Sequence, residues 1–180
     1  MGKHNRRKAD ERDMPSSPDS VDRFVEWHAL VAGQGCPLCP PRRGQERHLR
    51  KIATLSVSTL YLDRNQEYTG RTVLVFDPRH VSSLEKLTLD EYVSLMTDLR
   101  RASLAVCRST EADHMNYASL GNTIPHVHWH IIPRYLGDRR WGNPVWMNTP
   151  EEQPYRALPD AECDRLVDRI RQDLEGSSDT

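Results

Sequence analysis

Apolar side chains recur every three or four residues in three stretches of the chain, and this spacing predicts three helices. The first is predicted to begin at Ser20, a residue type that caps helices, and to stop at Gly33. The second begins at Thr88 and Glu91, which have the spacing of a capping box, and reaches about Cys107. The repeating positions are Phe24, Trp27, His28 and Val31 in the first helix, Tyr92, Leu95, Met96, Leu99, Ala102 and Val106 in the second, and Cys163, Leu166, Val167, Ile170 and Leu174 in the third.

Runs rich in β-branched and aromatic residues predict strands between these helices. Residues 55–62 and 71–76 are two such runs, and the turn-like residues 63–70 between them indicate a hairpin. The segments "MNYASL" and "HVHWHIIP" predict two more strands, the second ending before Pro133. The order of helix, hairpin, helix, strands and helix predicts an α+β fold with an antiparallel sheet.

Composition limits the partners and the organisation of the chain. Its 180 residues carry a net charge of −1, which gives no electrostatic basis for binding duplex nucleic acid or an anionic membrane. We predict no membrane span and no signal peptide, and therefore a cytoplasmic protein. Residues 1–19 are charged and poor in large apolar groups, so we expect a flexible tail, one domain over 20–175 and a flexible C-terminus over 176–180.

Three histidines occupy alternate positions of one predicted strand. Side chains alternate between the two faces of a strand, so His126, His128 and His130 should share one face. Three solvated imidazoles would be an improbable coincidence. Two chemical interpretations follow, a metal site with histidine ligands or a nucleophilic imidazole that attacks phosphorus. The other face, predicted to pack in the core, carries Val127, Trp129 and Ile131.

The segment "HVHWHII" resembles the signature of the histidine triad (HIT) superfamily of nucleotide hydrolases and transferases. The similarity extends upstream through the hairpin, a Pro-x-His element and "NYASLGNTIP", and covers roughly residues 55–147. It implies a HIT-like fold, in which a long helix packs on a sheet of about five strands, with helices at both ends. It also implies a homodimer whose two sheets join.

The resemblance implies a mechanism for the histidine strand. His128 would attack the α-phosphorus of a nucleotide and form a covalent nucleotidyl-histidine, which water or another acceptor then releases. His126 and His130 would orient the nucleophile and donate hydrogen bonds to the phosphate oxygens. Dinucleoside polyphosphates such as diadenosine tetraphosphate are the first substrate class implied, and adenosine 5′-phosphoramidates are the second. This reaction requires no catalytic cofactor.

The resemblance also implies nucleotide contacts. Asp63 stands where the family holds the ribose hydroxyls, and Asn116 stands where an asparagine lies near the phosphates. Asn122 and Thr123 stand near the transferred phosphate and the leaving group. Asp63, Asn116 and Asn122 are also residue types that favour turns. Where many members have Gly-His this chain has Gly-Arg, so that Arg71 is either a cation for phosphate or an outward-facing hairpin residue.

A Cys-x-x-Cys pair lies in the Pro-rich loop "CPLCPPRRG", where it is compatible with zinc, redox chemistry or coincidence. Some bacterial HIT proteins have a zinc site built from such a pair, the histidine of Pro-x-His and the first triad histidine. The resemblance therefore implies a structural Zn²⁺ that holds the loop to the back of the catalytic strand. The alternative is a metal-free packed pair of thiols, and His48 is a possible substitute ligand. The implied ligands are Cys36, Cys39, His80 and His126.

Two rival functions stay open from the sequence. One is a zinc-dependent hydrolase in which the three histidines themselves hold the metal. The other is a nucleotide-binding regulatory protein with little turnover, which the departures at Arg71 and Asn122 suggest. Metal removal separates the first rival from the covalent mechanism, and release of nucleotide products separates the second.

Overall fold

The computed structural model describes the backbone of residues 18–42, 45, 48–138, 140–146 and 155–176, with side chains from residue 25 onward. The tails predicted over residues 1–19 and 176–180 therefore lie almost entirely outside the described residues. The helices are α1 (Pro18–Val31), α2 (Leu89–Thr110) and α3 (Asp160–Glu175), with a 3-10 turn at Leu84–Lys86. The strands are β1 (Leu49–Thr54), β2 (Ser58–Asp63), β3 (Thr72–Phe76), β4 (His114–Ala118) and β5 (His128–Arg134).

The five strands form one antiparallel sheet in the order β1-β2-β3-β5-β4. This arrangement confirms the predicted α+β fold with an antiparallel sheet. Because β3 and β5 are central, the histidine strand is flanked on both sides by hydrogen-bonded neighbours. Backbone hydrogen bonds on both sides therefore restrain the strand that carries His128 and His130.

One face of the sheet packs against α2 and α3 and forms the main core. Helix α2 begins with the predicted capping box, in which the Thr88 side chain accepts from the Glu91 amide and the Glu91 carboxylate accepts from the Thr88 amide. All five positions of the predicted α3 stripe are buried, whereas Tyr92, predicted on the buried face of α2, is 43% exposed. Fully buried core residues from the strands include Leu60, Leu62, Leu74, Phe76 and Ile131.

The first two strands differ from the predicted pattern. Residues 55–57 form a turn rather than the start of β2, because the buried Asp98 carboxylate accepts hydrogen bonds from the backbone and hydroxyl groups of this turn. Strand β1 was not predicted, since only Ile52 is deeply buried in a segment that also carries Arg50 and Lys51. Apolar runs identify the buried centre of a sheet better than its edge.

The histidine strand was expected to begin at His126 and to end before Pro133, but β5 begins at His128 and continues through Pro133 to Arg134. Pro133 pairs with Met115 of β4 and lies beyond Ile131, the last residue of β5 that pairs with β3. A proline at this place leaves the ladder with β3 intact. Among the helices that the structure describes, none is long and apolar enough to cross a membrane.

Candidate active site

The sheet register places four of the predicted site residues, His128, His130, Asp63 and Asn116, on one face, opposite the helices. His128 pairs with Val75, His130 pairs with Val73, and paired residues project to the same side of a sheet. Continuing along the strands, Asn116 pairs with Ile132, and the Asp63 amide donates to the Arg71 carbonyl. The face therefore carries two histidine rows, followed by a row that contains Asp63, Arg71, Ile132 and Asn116.

His128 is held as a neutral imidazole with one defined tautomer. Its Nδ1 lies 2.6 Å from the carbonyl oxygen of His126, so Nδ1 carries the proton and donates to that oxygen. The lone pair is therefore on Nε2. Burial lowers the pKa of His128 below its ordinary value, which keeps the ring unprotonated near neutral pH. A neutral imidazole with a defined lone pair is the form required of a nucleophile.

The His126 side chain has a different environment from the other two triad rings. Its Nε2 donates to the Phe76 carbonyl oxygen at 2.8 Å, and its Nδ1 lies 3.4 Å from the sulfur of Cys36. Burial lowers the pKa of His126 to about 4, so the ring is neutral and Nδ1 offers a lone pair to the cysteines. Its side chain therefore faces the cysteine pair, and its carbonyl oxygen is the group that contacts His128.

Cys36, Cys39, His80 and His126 converge on one point. The ligand atoms of these four side chains lie within 4.8 Å of one another, and Cys39 Sγ is 3.4 Å from His80 Nδ1 and 3.6 Å from His126 Nδ1. Zinc bonds of about 2.3 Å to sulfur and 2.0–2.1 Å to nitrogen in a tetrahedron would place these atoms roughly 3.6 Å apart. These four residues, the set implied by the sequence, could hold a metal ion.

Two carbonyl oxygens orient the imidazoles of this cluster. His80 Nε2 lies 3.1 Å from the Val31 carbonyl oxygen, which matches the role of the Phe76 carbonyl at His126. With Nε2 directed at a carbonyl oxygen, each ring turns its Nδ1 toward the cysteine sulfurs, the orientation that a metal ligand at Nδ1 requires. Gly33, with φ of +84°, brings α1 close to this ring, since a Cβ there would lie 3.0 Å from the His80 ring. His48 is exposed and is not part of the cluster in the described structure.

The loop with the cysteine pair covers the histidine face, not the back of the strand as the resemblance implied. Cys36 and Leu38 pack on Val73 and Val75, the two β3 residues that pair with His130 and His128. Arg42 extends this contact, because its guanidinium donates to the Tyr61 hydroxyl at 3.0 Å. A metal bound by the four ligands would therefore lie on the same face of the sheet as His128 and His130.

Arg71, whose role the sequence left open, lies on the same sheet face as His128 and His130. Its Nε is 3.1 Å from Asp63 Oδ2, out of line for a hydrogen bond but close enough for an ion pair, and only 12% of its side chain is exposed. Burial raises the pKa of Asp63, and the Arg71 charge offsets part of that effect. The guanidinium also lies 5.6 Å from the centre of the Trp146 ring. The interpretation of Arg71 as an outward-facing hairpin residue is therefore wrong.

The other predicted nucleotide contacts lie in two places. Asn116 is in β4, where its Oδ1 accepts from Arg134 at 2.8 Å, and it lines a cavity of about 670 Å³ with Trp141 and Trp146. Asn122 and Thr123 are exposed in the loop before β5, away from that cavity. Sequence reasoning assigned no role to Arg134, a charged residue that is only 3% exposed, although a basic residue directly after a buried strand was visible in the sequence.

The family follows from a match across the sheet. A model described as the HIT domain matches residues 46–137, just over half of the chain and all five strands. The chain belongs to the HIT family. The resemblance carried by "HVHWHII" is therefore confirmed, and the match also includes β1, which the sequence pattern had not revealed.

Two curated relatives of this HIT protein are named as hydrolases. Bis(5′-nucleosyl)-tetraphosphatase [asymmetrical] of Schizosaccharomyces pombe is 37% identical over 71 residues, covering 37% of this chain and 39% of the relative. Bis(5′-adenosyl)-triphosphatase of Dictyostelium discoideum is 30% identical over 95 residues, covering 50% of this chain and 64% of the relative. The chain thus spans less than two thirds of either relative.

A solved structure supports the same fold over most of both chains. The histidine triad protein of Sinorhizobium meliloti superposes with a TM-score of 0.66 and 23% sequence identity, covering 77% of this chain and 99% of that one. At this identity the likeness establishes a shared fold, and the chemistry has to be argued from the site itself.

Proposed function

We propose that this HIT protein hydrolyses dinucleoside polyphosphates at the α-phosphorus through a covalent nucleotidyl group on His128. The observation that carries the proposal is the buried, neutral His128 ring, whose Nδ1 proton is fixed on the His126 carbonyl and whose lone pair is therefore on Nε2. The names of the two curated relatives support the substrate class. Adenosine 5′-phosphoramidates are a second substrate class for the same chemistry.

The proposed reaction has two displacements at phosphorus. His128 Nε2 bonds to the α-phosphorus while the bond to the leaving polyphosphate breaks, and the positive charge that develops on the ring is stabilised by the His126 carbonyl through Nδ1–H. Water then bonds to phosphorus, the P–N bond breaks, and the neutral ring and a nucleoside monophosphate are released. Nothing in these two steps requires a metal or another cofactor.

The remaining residues are proposed to bind and orient the nucleotide. His130 shares the face of His128 and is proposed to donate a hydrogen bond to a phosphate oxygen. Burial, His128 and Arg71 lower the pKa of His130 to about 3, so the ring is neutral and would donate through its single N–H group. Asp63 is proposed to hold the ribose together with Arg71, its ion-pair partner. Asn116 is proposed near the phosphates. The exposed loop residues Asn122 and Thr123 are proposed to contact the leaving group.

We also propose that the ion held by Cys36, Cys39, His80 and His126 is a structural zinc. Two cysteine sulfurs and two histidine nitrogens are a donor set that suits zinc, and the spacing of the ligand atoms fits a tetrahedral ion. The ion would fasten the cysteine loop and α1 to the sheet. The rival in which the three triad imidazoles bind one metal is disfavoured, because His126 turns both ring nitrogens to other groups among the described residues.

A homodimer is proposed as well, as the resemblance implies. Strand β4 is at the edge of the described sheet, where Tyr117 is 47% exposed beside an apolar groove of about 370 Å³. The groove is lined by α2 residues together with Met115 and Tyr117. Light scattering should give the mass of two chains, and a monomer at micromolar concentration would contradict the proposal.

The proposed activity can be tested with diadenosine tetraphosphate in water labelled with oxygen-18. Attack at the α-phosphorus should release AMP and ATP, with the label in AMP and none in ATP. A matched reaction with adenosine 5′-phosphoramidate should release AMP and ammonia. ADP as the only product would contradict the site of attack, and tight binding without any product would favour a regulatory protein.

A further inference from the structure

His130 differs from the other two triad histidines in how its ring is held. The rings of His126 and His128 are each fixed by a hydrogen bond to a backbone carbonyl oxygen. Within the described part of the chain, the His130 ring has no such bond, and its Nδ1 is buried without a hydrogen-bond partner. Its orientation therefore depends on packing against neighbouring rings.

Two rings bracket His130 with edge-to-face geometry. The His128 ring lies 5.1 Å away between centroids at an interplanar angle of 78°, and the Trp146 ring lies 5.2 Å away at 64°. Aromatic pairs in this arrangement prefer a definite mutual orientation. Because His128 is already fixed by its own hydrogen bond, Trp146 is the contact that limits rotation of the His130 ring.

Trp146 belongs to a segment, residues 138 and 140–146, that we call the strap. Arg134 donates a hydrogen bond to the strap from each of its three guanidinium nitrogens. Nε donates to Asp138 at 2.8 Å, Nη2 to the Arg140 carbonyl at 2.8 Å, and Nη1 to the Asn143 carbonyl at 3.1 Å. The same guanidinium lies 5.0 Å from the Tyr68 ring centre. Fixing several carbonyl oxygens at once requires the planar fork of an arginine.

The strap has further contacts that keep it on the sheet. Arg140 forms an ion pair with Glu67 and donates to the Tyr68 hydroxyl at 3.2 Å. Val145, next to Trp146, is 6% exposed and packs with Tyr68 and Ile132. The indole is therefore positioned by a hydrogen-bonded segment with a buried neighbour, although Trp146 itself is 40% exposed.

We propose that Trp146 is a positioning residue for His130 and that Arg134 acts through the strap to place Trp146. The kinetic consequences of this inference rest on the proposed function. Its structural consequence, a fixed orientation of the His130 ring, rests on ring packing alone. The contact lies within one chain, since Trp146 and His130 belong to the same protomer.

The kinetic test compares variants at Trp146 in two backgrounds. Trp146→Ala should lower kcat about 10- to 100-fold, because small errors in the position of a catalytic group have effects of this size. The dissociation constant for AMP should rise by a clearly smaller factor than kcat falls, since Trp146 also lies against Arg71. Trp146→Phe should retain most of the activity because the phenyl ring still packs on His130. In a His130→Ala background, Trp146→Ala should cause no further loss, since the group it positions is gone.

Arg134→Lys tests the second half of the proposal. It should lower kcat by a similar factor to Trp146→Ala, and the double variant should be no worse than the worse single variant. Three outcomes would overturn the inference. These are an equal loss from Trp146→Ala with and without His130, a loss seen in AMP affinity rather than in kcat, and full additivity with Arg134→Lys.

An NMR measurement keeps the test valid if the chain hydrolyses no nucleotide. The Trp146 ring current should shift the ring protons of His130, and this shift should disappear in Trp146→Ala and in Arg134→Lys. Asp98→Asn is the stability control, because it weakens hydrogen bonds at the 55–57 turn, which lies outside the strap. An unchanged His130 spectrum in folded Trp146→Ala would overturn the inference whether or not the proposed activity is found.

Discussion

His128→Gly should lower kcat for diadenosine tetraphosphate by at least about 10⁴-fold, because the variant lacks the atom that bonds to phosphorus. The loss should appear in kcat more than in nucleotide affinity, since the proposed nucleotide contacts Asp63, Arg71 and Asn116 are unchanged. Added imidazole should restore part of the activity by occupying the space that the side chain left. The measurement is steady-state hydrolysis, with folding of the variant checked by circular dichroism.

The matched control for this variant is His114→Gly. His114 lies in the edge strand β4, is exposed, and pairs with Arg134 at the opposite end of β5 from His128. Its replacement should leave kcat close to the wild-type value. Wild-type turnover in His128→Gly would exclude His128 as the nucleophile, whereas equal losses in both variants would indicate general damage to the sheet.

Replacing both cysteines of the proposed zinc site should have the largest effect on stability. The double variant Cys36→Ser, Cys39→Ser should lose the one zinc ion per chain expected in the wild type. It should unfold at least roughly 10 °C lower, because binding of a structural zinc contributes folding free energy directly. The cysteine loop and α1 would then be held on the sheet only by packing and by contacts such as Arg42 with Tyr61.

Catalysis by the folded double variant should survive at low temperature within about tenfold of the wild type, because the proposed nucleophile is outside the ligand set. Metal content is measured by elemental analysis, and the matched control is Cys107→Ser on α2, which should keep both zinc and stability. A wild-type protein that binds no zinc would contradict the assignment of the four ligands. Loss of all activity with the fold preserved would favour the rival in which the metal is catalytic.

The sequence predicted the buried centre of the fold better than its edges. Alternation in "HVHWHII" and the capping box at Thr88 are local signals, and the structure has the capping box as expected and the alternation from His128 to Ile131. The 55–57 turn depends on a long-range partner, the Asp98 carboxylate, which no local pattern identifies, and strand β1 was missed because only Ile52 in it is deeply buried. The convergence of the cysteine pair with His80 and His126 was implied by family resemblance rather than by residue spacing.

The candidate site shows the same division between local and long-range information. Strand periodicity was sufficient to place His128 and His130 on one face. The His126 ring instead points toward Cys36, a residue 90 positions earlier in the chain, and no local pattern predicts that contact. The roles of Arg71 and Trp146 could not be predicted, because each depends on a ring or an ion pair brought in by another part of the chain. Such contacts exist only after the sheet has formed.

The most direct measurement of the central claim is to trap the reaction intermediate. Wild-type protein mixed with diadenosine tetraphosphate is quenched within one turnover under basic conditions, digested and mapped by mass spectrometry. We predict one adenylyl group on the peptide that contains His128, bonded to that residue, and no such adduct in His128→Gly. An adduct on any other residue, or on none while AMP is released at the full rate, would contradict a covalent His128 mechanism.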